Sequence, residues 1–254
     1  MKRIAIVTGA SSGMGREFVL QLDGMMSRLD EIWVIARRTG KLFELEKQVK
    51  HKLVVCPADL TRTEDIAGIK ELLEKEKPVI SVLVNAAGFG VHGRVDESSE
   101  DTMLGMIDLN CRALTAMTKM CLPYMAKGGR IIQLASSAAF AAQPSFAVYA
   151  ASKAYVLSFS RALDAELKDR GISVTAVCPG PVDTEFFRHD DCDIRKTGYK
   201  RLVMAKPDAV VKLALQDAKE RRQVSVYGTY IKAFRLLAKL VPHRVILAVM
   251  RRIL

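Results

Sequence analysis

The chain has 254 residues, half of them hydrophobic, with a mean hydropathy of +0.11 and a formal net charge of +11. This length suits one large α/β domain with a substantial core, and the composition excludes a long disordered tail. No apolar run is long enough for an ordinary membrane-spanning helix, while so positive a charge brings nucleic acid into consideration as a partner.

Ile4-Ala5-Ile6-Val7 predicts a strand over about 3–8, and the turn Thr8-Gly9-Ala10-Ser11-Ser12-Gly13-Met14-Gly15 leads into a helix over about 13–28. A strand this early leaves no room for a signal peptide's apolar core, so a cytoplasmic protein is expected. A second strand, about 31–36, ends in Val34-Ile35-Ala36-Arg37-Arg38, with no carboxylate, and a helix over about 40–50 follows. The third strand, about 52–57, runs into Asp59-Leu60 and a helix over about 63–76; the fourth, about 80–85, runs into Asn85-Ala86-Ala87-Gly88. One long helix over about 100–125 carries Asp108-Leu109-Asn110. The strand over about 129–135 ends at Ser136, and a helix over about 147–170 carries Tyr149 and Lys153. A strand over about 173–178 runs into Pro179-Gly180, and a helix (about 207–220) and a short strand (about 223–227) complete the series. Most strands are continuous apolar runs, as expected of a parallel sheet covered on both faces. Residues 181–206 interrupt the regularity with Phe186, Phe187, Tyr199, Leu202 and Met204 beside a charged run, and are read as a substrate lid.

Tyr149 and Lys153 are four residues apart, so one helix face brings a phenol and an ammonium to one pocket. A free Tyr titrates near pH ~10, and an adjacent cation favours the phenolate and suits it to acid/base work.

The order of these features, from the glycine turn through Asn85-Ala86-Ala87-Gly88, Asn110, Ser136 and Tyr149…Lys153 to Pro179-Gly180, resembles the short-chain dehydrogenase/reductase family over residues 3–227. The resemblance implies a Rossmann-type, doubly wound, seven-stranded parallel sheet in a single domain (1–227), with 228–254 as a basic amphipathic helical extension. It implies catalytic roles for Asn110, Ser136, Tyr149 and Lys153. Gly9, Ser11, Ser12, Gly13, Met14 and Gly15 would hold a pyrophosphate, with Asp59, Leu60, Asn85, Ala86 and Gly88 along the adenosine side; Asp59 also suits a cap for the helix near Thr61, and Asn85 is in part architectural in the family, bridging strands. Tyr149, Lys153, Pro179, Val182 and Thr184 would meet the nicotinamide end. Arg37 and Arg38, standing where an NAD site carries an acid, suit a 2′-phosphate and imply NADP(H). The implied reaction is hydride transfer between a carbonyl and an alcohol, and the implied assembly is a homodimer or homotetramer. A non-catalytic nucleotide-binding scaffold on the same fold is the alternative. Ala139-Phe140-Ala141-Ala142, where relatives often carry Gly, together with Phe186, Phe187 and Met204, points to a small hydrophobic carbonyl or alcohol substrate.

The charge is unevenly placed. From Lys219 to Leu254 nine basic residues face one acid, Glu220, so that segment supplies +8 of the +11 and no nucleic-acid partner is expected. Gly228–Leu254 reads instead as an amphipathic appendage that covers the substrate pocket, forms a subunit seam or makes peripheral contact with a membrane. Cys56, Cys111, Cys121, Cys178 and Cys192 form no CxxC pair, and the four histidines are scattered, so no metal is expected.

Overall fold

The structure, a computed structural model, describes residues 1–188 and 204–253. Seven parallel strands form one sheet in the order β3-β2-β1-β4-β5-β6-β7: β1 Arg3–Thr8, β2 Glu31–Ala36, β3 Lys52–Pro57, β4 Val79–Asn85, β5 Met125–Leu134, β6 Ser173–Val177 and β7 Val224–Ser225. Helices α1 Gly13–Met25, α2 Thr39–Glu46, α3 Thr63–Glu76, α4 Glu100–Ile107, α5 Leu114–Cys121, α6 Ala147–Glu166 and α7 Pro207–Lys219 connect them. Two more, α8 Thr229–Leu240 and α9 His243–Ile253, follow β7.

The apolar strands are buried on both faces, as their continuous hydrophobic runs require. Val7, Val34, Val84 and Ile132 pack with α1 and α7 residues such as Phe18, Leu22, Val211 and Ala214 on one side. Ile6, Trp33, Leu83 and Ile131 pack with Leu73, Met117 and Leu163 on the other. Strand β1 lies between β2 and β4, so the chain reverses direction across the sheet there, and a crevice opens beyond the carboxyl ends of the strands.

The long helix expected over about 100–125 is interrupted. Between α4 and α5 lies a π-helical turn, Asp108–Ala113, which contains Asn110. Helix α6 ends at Glu166, and a 3₁₀ turn leads to Gly171, whose φ of 66° reverses the chain into β6. Strand β7 has only two residues and pairs through Ala176 and Val177, shorter than expected. The expectations placed on Cys192, Tyr199 and Leu202, and on the side chain of Phe187, lie outside the described residues.

Candidate active site

The crevice is a cavity of about 1450 Å³ above the ends of β1, β4, β5 and β6. Its floor starts at the turn after β1. Gly9 has φ 68°, and a Cβ there would lie 2.8 Å from Ala87 Cα, so only glycine allows β1 and the Ala86–Gly88 segment to meet this closely. Ser12 begins α1 without a side-chain cap, which leaves the first-turn amides of Gly13, Met14 and Gly15 turned to the cavity for an anion.

Cations flank that turn. Arg38 donates from Nε (3.2 Å) and Nη2 (3.1 Å) to Ser11 Oγ, and from Nη2 to Ser12 Oγ. Its other nitrogen pairs with the Glu185 carboxylate at 2.7 Å, and Lys41 Nζ grips the same carboxylate at 2.6 Å. Hydrogen bonds from Lys41 and Arg38 hold the Glu185 carboxyl down to about 2. Arg37 is 73% exposed and lies 3.6 Å from Asp59 Oδ2. Asp59 also accepts from Thr61 N (3.0 Å) and Thr61 Oγ1 (2.7 Å), so it shapes the turn before α3 while lining the cavity beside Leu60.

The opposite wall comes from β5 and α6. Tyr149 and Lys153 are buried on one face of α6, and Ser136 stands at the end of β5, its hydroxyl favouring ionisation of the phenol. Ser136 Oγ also accepts from Ala138 N at 3.1 Å, and Ser137 N donates to Pro179 O at 2.8 Å, which ties this loop to the one after β6. The Tyr149 ring stacks on Phe146 (centroids 4.3 Å apart) and meets Phe186 at a tilt of 56°, centroids 5.7 Å apart. A Cβ on Gly90 would lie 2.5 Å from this ring, so the segment after β4 passes flat against it.

Lys153 Nζ donates to Leu134 O at 2.8 Å and lies 5.6 Å from the Tyr149 ring centroid. Burial pushes the ammonium down to about 8 and the phenol up to about 12, the influence of Ser136 opposing the latter. The lowering of Tyr149 expected from Lys153 is therefore not what this arrangement produces alone: the ammonium is bound to a strand carbonyl, and desolvation dominates both groups.

Gly9 to Gly15 (save Ala10), Arg37, Arg38, Asp59, Leu60, Ala86, Gly88, Ser136, Tyr149, Lys153, Pro179, Val182 and Thr184 all line the cavity. Two expected site residues do not. Asn85 donates to Thr118 Oγ1 (3.0 Å) and Gln133 Oε1 (2.9 Å), a buried polar knot joining β4, α5 and β5; its role is to hold strands together beneath the site. Asn110 is fully buried: it accepts from Phe89 N (3.0 Å) and donates to Phe89 O (2.9 Å) and Ser152 Oγ (3.0 Å). It fixes the segment after β4 against α6 and touches no cavity surface.

The outer half of the cavity is apolar. Phe186 lines it, with Val91 and Phe146, but Met204 and Phe140 do not. The 3₁₀ turn Ser137–Phe140 swings the Phe140 ring outward, against Phe234 (6.3 Å) and the Arg235 guanidinium (6.0 Å), so it seats α8 rather than narrowing the pocket. Helices α8 and α9 form the roof through Ile231, Phe234, Leu237, Val245, Ile246 and Val249. Helices α8 and α9 of Gly228–Leu254 thus cover the pocket, one of the placements expected, and the signal for it was the apolar stripe at helical spacing. Glu185, Val91 and Phe146 carried no motif that would have marked them.

The short chain dehydrogenase family pattern matches residues 3–193. An uncharacterised oxidoreductase of Staphylococcus epidermidis is 30% identical over 197 residues, covering 77% of this chain and 84% of that protein. A short-chain dehydrogenase from Sphingobium yanoikuyae in complex with NADPH superposes with a TM-score of 0.78 at 25% identity, covering 94% of this chain and 96% of the other. A Burkholderia phymatum short-chain dehydrogenase/reductase in complex with NAD gives the same TM-score at 21% identity, over 93% and 92% of the two chains, a likeness of fold. Matched along three quarters of its length and carrying a glycine turn, a strand-end serine and a buried Tyr–Lys pair around one cavity, this chain is an oxidoreductase of the short-chain dehydrogenase family.

Proposed function

We propose that the protein is an NADP(H)-dependent oxidoreductase that interconverts a carbonyl and an alcohol on a small or medium hydrophobic substrate, ketone, steroid-like or acyl-chain-like in class. The observation that carries this reading is the meeting of the Tyr149 phenol, the Ser136 hydroxyl and the buried Lys153 on one wall of a cavity with an apolar outer half. A nicotinamide dinucleotide, when bound, supplies or accepts the hydride. The uncapped turn fits its pyrophosphate through Gly9 and Ser11–Gly15; Arg37 and Arg38 favour a 2′-phosphate; Asp59, Leu60, Ala86 and Gly88 would flank the adenosine, and Pro179, Val182 and Thr184 the nicotinamide.

Tyr149, held protonated by burial, is the proton donor in reduction and the base in oxidation. Ser136 donates to the substrate oxygen as charge gathers on it. Lys153 stabilises the phenolate left when Tyr149 gives up its proton, and Asn110 positions the backbone beside both. A scaffold on the same fold is the competing reading, and the buried ammonium argues against it, because a cation in the core is costly and a scaffold has no use for one.

Tyr149→Phe is the deciding experiment. The wild-type protein should oxidise NADPH with members of a panel of hydrophobic ketones. The variant should lose this turnover by at least about 10²-fold while still binding NADPH, because only the proton donor is removed. Near-normal turnover in the variant would show that another group carries the proton.

We also propose a homodimer or homotetramer through α4–α5 and α6. Met106, Met117 and Leu157 are core residues, but Leu104, Ile107 and Tyr155 on these helices are exposed and apolar. Sedimentation at micromolar concentration giving only a monomer would remove this assembly.

A further inference from the structure

The roof of the cavity is apolar on two sides. Along α8, Ile231, Phe234, Ala238 and Val241 recur at three- and four-residue spacing and line the cavity. The helix is held down at two points: Phe140 packs on Phe234, and Ile231 lies so close to Gly180 that a Cβ there would meet it at 2.6 Å. A second stripe of α8, facing away from the cavity, is exposed, with Leu236 at 59% and Leu240 at 73%, and Tyr230 at the start of the helix is 75% exposed. Leu237, Val245 and Val249 belong to both sides, lining the cavity while more than half exposed, so they form the rim of its mouth.

Charge singles out one occupant for this surface. No Asp or Glu occurs from Thr229 to Leu254, whereas Lys232, Lys239, Arg244 and Arg251 are exposed on the two helices. Uncompensated cations bordering a broad apolar face match an anionic bilayer surface, where leucines enter the acyl boundary and lysines reach the headgroups. A second copy of this chain would bring the same cations together and repel. No helix among the described residues is long and apolar enough to cross a membrane, so the contact is with one leaflet.

We propose that α8 and α9 seat the protein on an anionic membrane surface, with the mouth at Leu237, Val245 and Val249 opening toward the lipid, so that the substrate class is a bilayer-resident, long-chain carbonyl or alcohol that enters from the leaflet. The docking stands on the exposed face alone; the substrate class rests on the reading given under Proposed function.

The test uses the full chain, floated with phosphatidylcholine vesicles that do or do not contain about 30% phosphatidylserine. Wild-type protein should float with the anionic vesicles at low salt, and less at high salt. Lys232→Gln/Lys239→Gln should weaken partitioning by about tenfold or more. Leu236→Asp/Leu240→Asp should abolish it while leaving the reduction of a short soluble ketone unchanged, since neither residue lines the cavity. Wild-type protein remaining in the supernatant at low salt would overturn the proposal, and so would unaltered flotation of the Leu236→Asp/Leu240→Asp variant. Conversion of a dimer to a monomer by that variant, without vesicle binding by wild type, would assign the face to a second copy. For the substrate class, a long-chain ketone in anionic vesicles should be turned over faster by wild type than by the undocked variant. Equal rates on that ketone overturn the entry route alone, whereas failure with every ketone, soluble or vesicle-borne, overturns the proposed reaction.

Discussion

Lys153→Met should make the protein more stable at neutral pH while destroying its activity. The Lys153 ammonium is buried, and its pKa falls from 10.5 to about 8 because burial penalises the charge. A difference of that size corresponds to about 3 kcal/mol between the charged and neutral forms. The folded state binds fewer protons than the unfolded one between pH 8 and 10.5, so the full cost is present below pH 8 and is relieved as pH rises through that window. Methionine keeps the length and apolar stem of lysine but forfeits the hydrogen bond to Leu134 O, worth about 1 kcal/mol. The net expectation is a gain of about 2 kcal/mol at pH 7, or about 4–8 °C in Tm for a domain of this size. Thermal or urea unfolding of both proteins without cofactor, from pH 7 to 9.5, reads it out. The upper limit avoids Tyr149, whose raised pKa acts with the opposite sign, removing stability between pH 10 and about 12. A variant less stable than wild type at pH 7, or an advantage that does not shrink as pH rises, would refute the reasoning.

Oxidation of an alcohol needs the phenolate, so with Tyr149 held near 12 its rate should climb from pH 7 to 9, while reduction, which needs the phenol, stays level; both are read from NADPH absorbance. NADPH should bind more tightly than NADH, and Arg37→Asp should collapse or reverse that preference in a fluorescence titration; equal affinities in the wild type would remove the assignment. Glu185→Gln frees Arg38 and Lys41 from a carboxylate, so it should tighten NADPH several-fold and leave NADH unchanged. Phe140→Ala should loosen α8 by about 1–2 kcal/mol, seen as faster amide exchange in Thr229–Leu240 with no change in the sheet.

The sheet and the floor of the site were readable because each rests on local rules. Continuous apolar strands announce burial on both faces, and glycines in a strand–helix turn announce close backbone approach. Tyr149 and Lys153 were readable from helical spacing only in company with the glycine turn, Ser136 and Pro179-Gly180 in the family's order, since the spacing by itself also suits a half-buried Tyr with a solvated Lys. Side-chain direction at irregular backbone was not: nothing in Ser137–Phe140 says that a 3₁₀ turn sends Phe140 to α8 instead of the pocket. The strand-bridging part expected of Asn85 is what it plays, but its partners Thr118 and Gln133, 33 and 48 residues away, were not readable. Glu185 acquires its meaning from Arg38 and Lys41, on the far side of the crevice. Such pairings are set by the tertiary fold.

The π-helical turn at Asp108–Ala113 separates what the fold needs from what the site needs. A π turn absorbs one surplus residue without rotating the helices on either side. Helix α4 thus keeps Met106 inward, and α5 keeps Met117, Thr118 and Cys121 against the sheet. A chain one residue shorter here would close into an ordinary helix that keeps the faces of α4 and α5 toward the sheet. It would lose the outward bulge that carries Asn110 to the backbone of Phe89. A single deletion in this stretch should therefore release the Phe89 segment from α6 while the sheet stays folded, a change read out by amide exchange at Phe89.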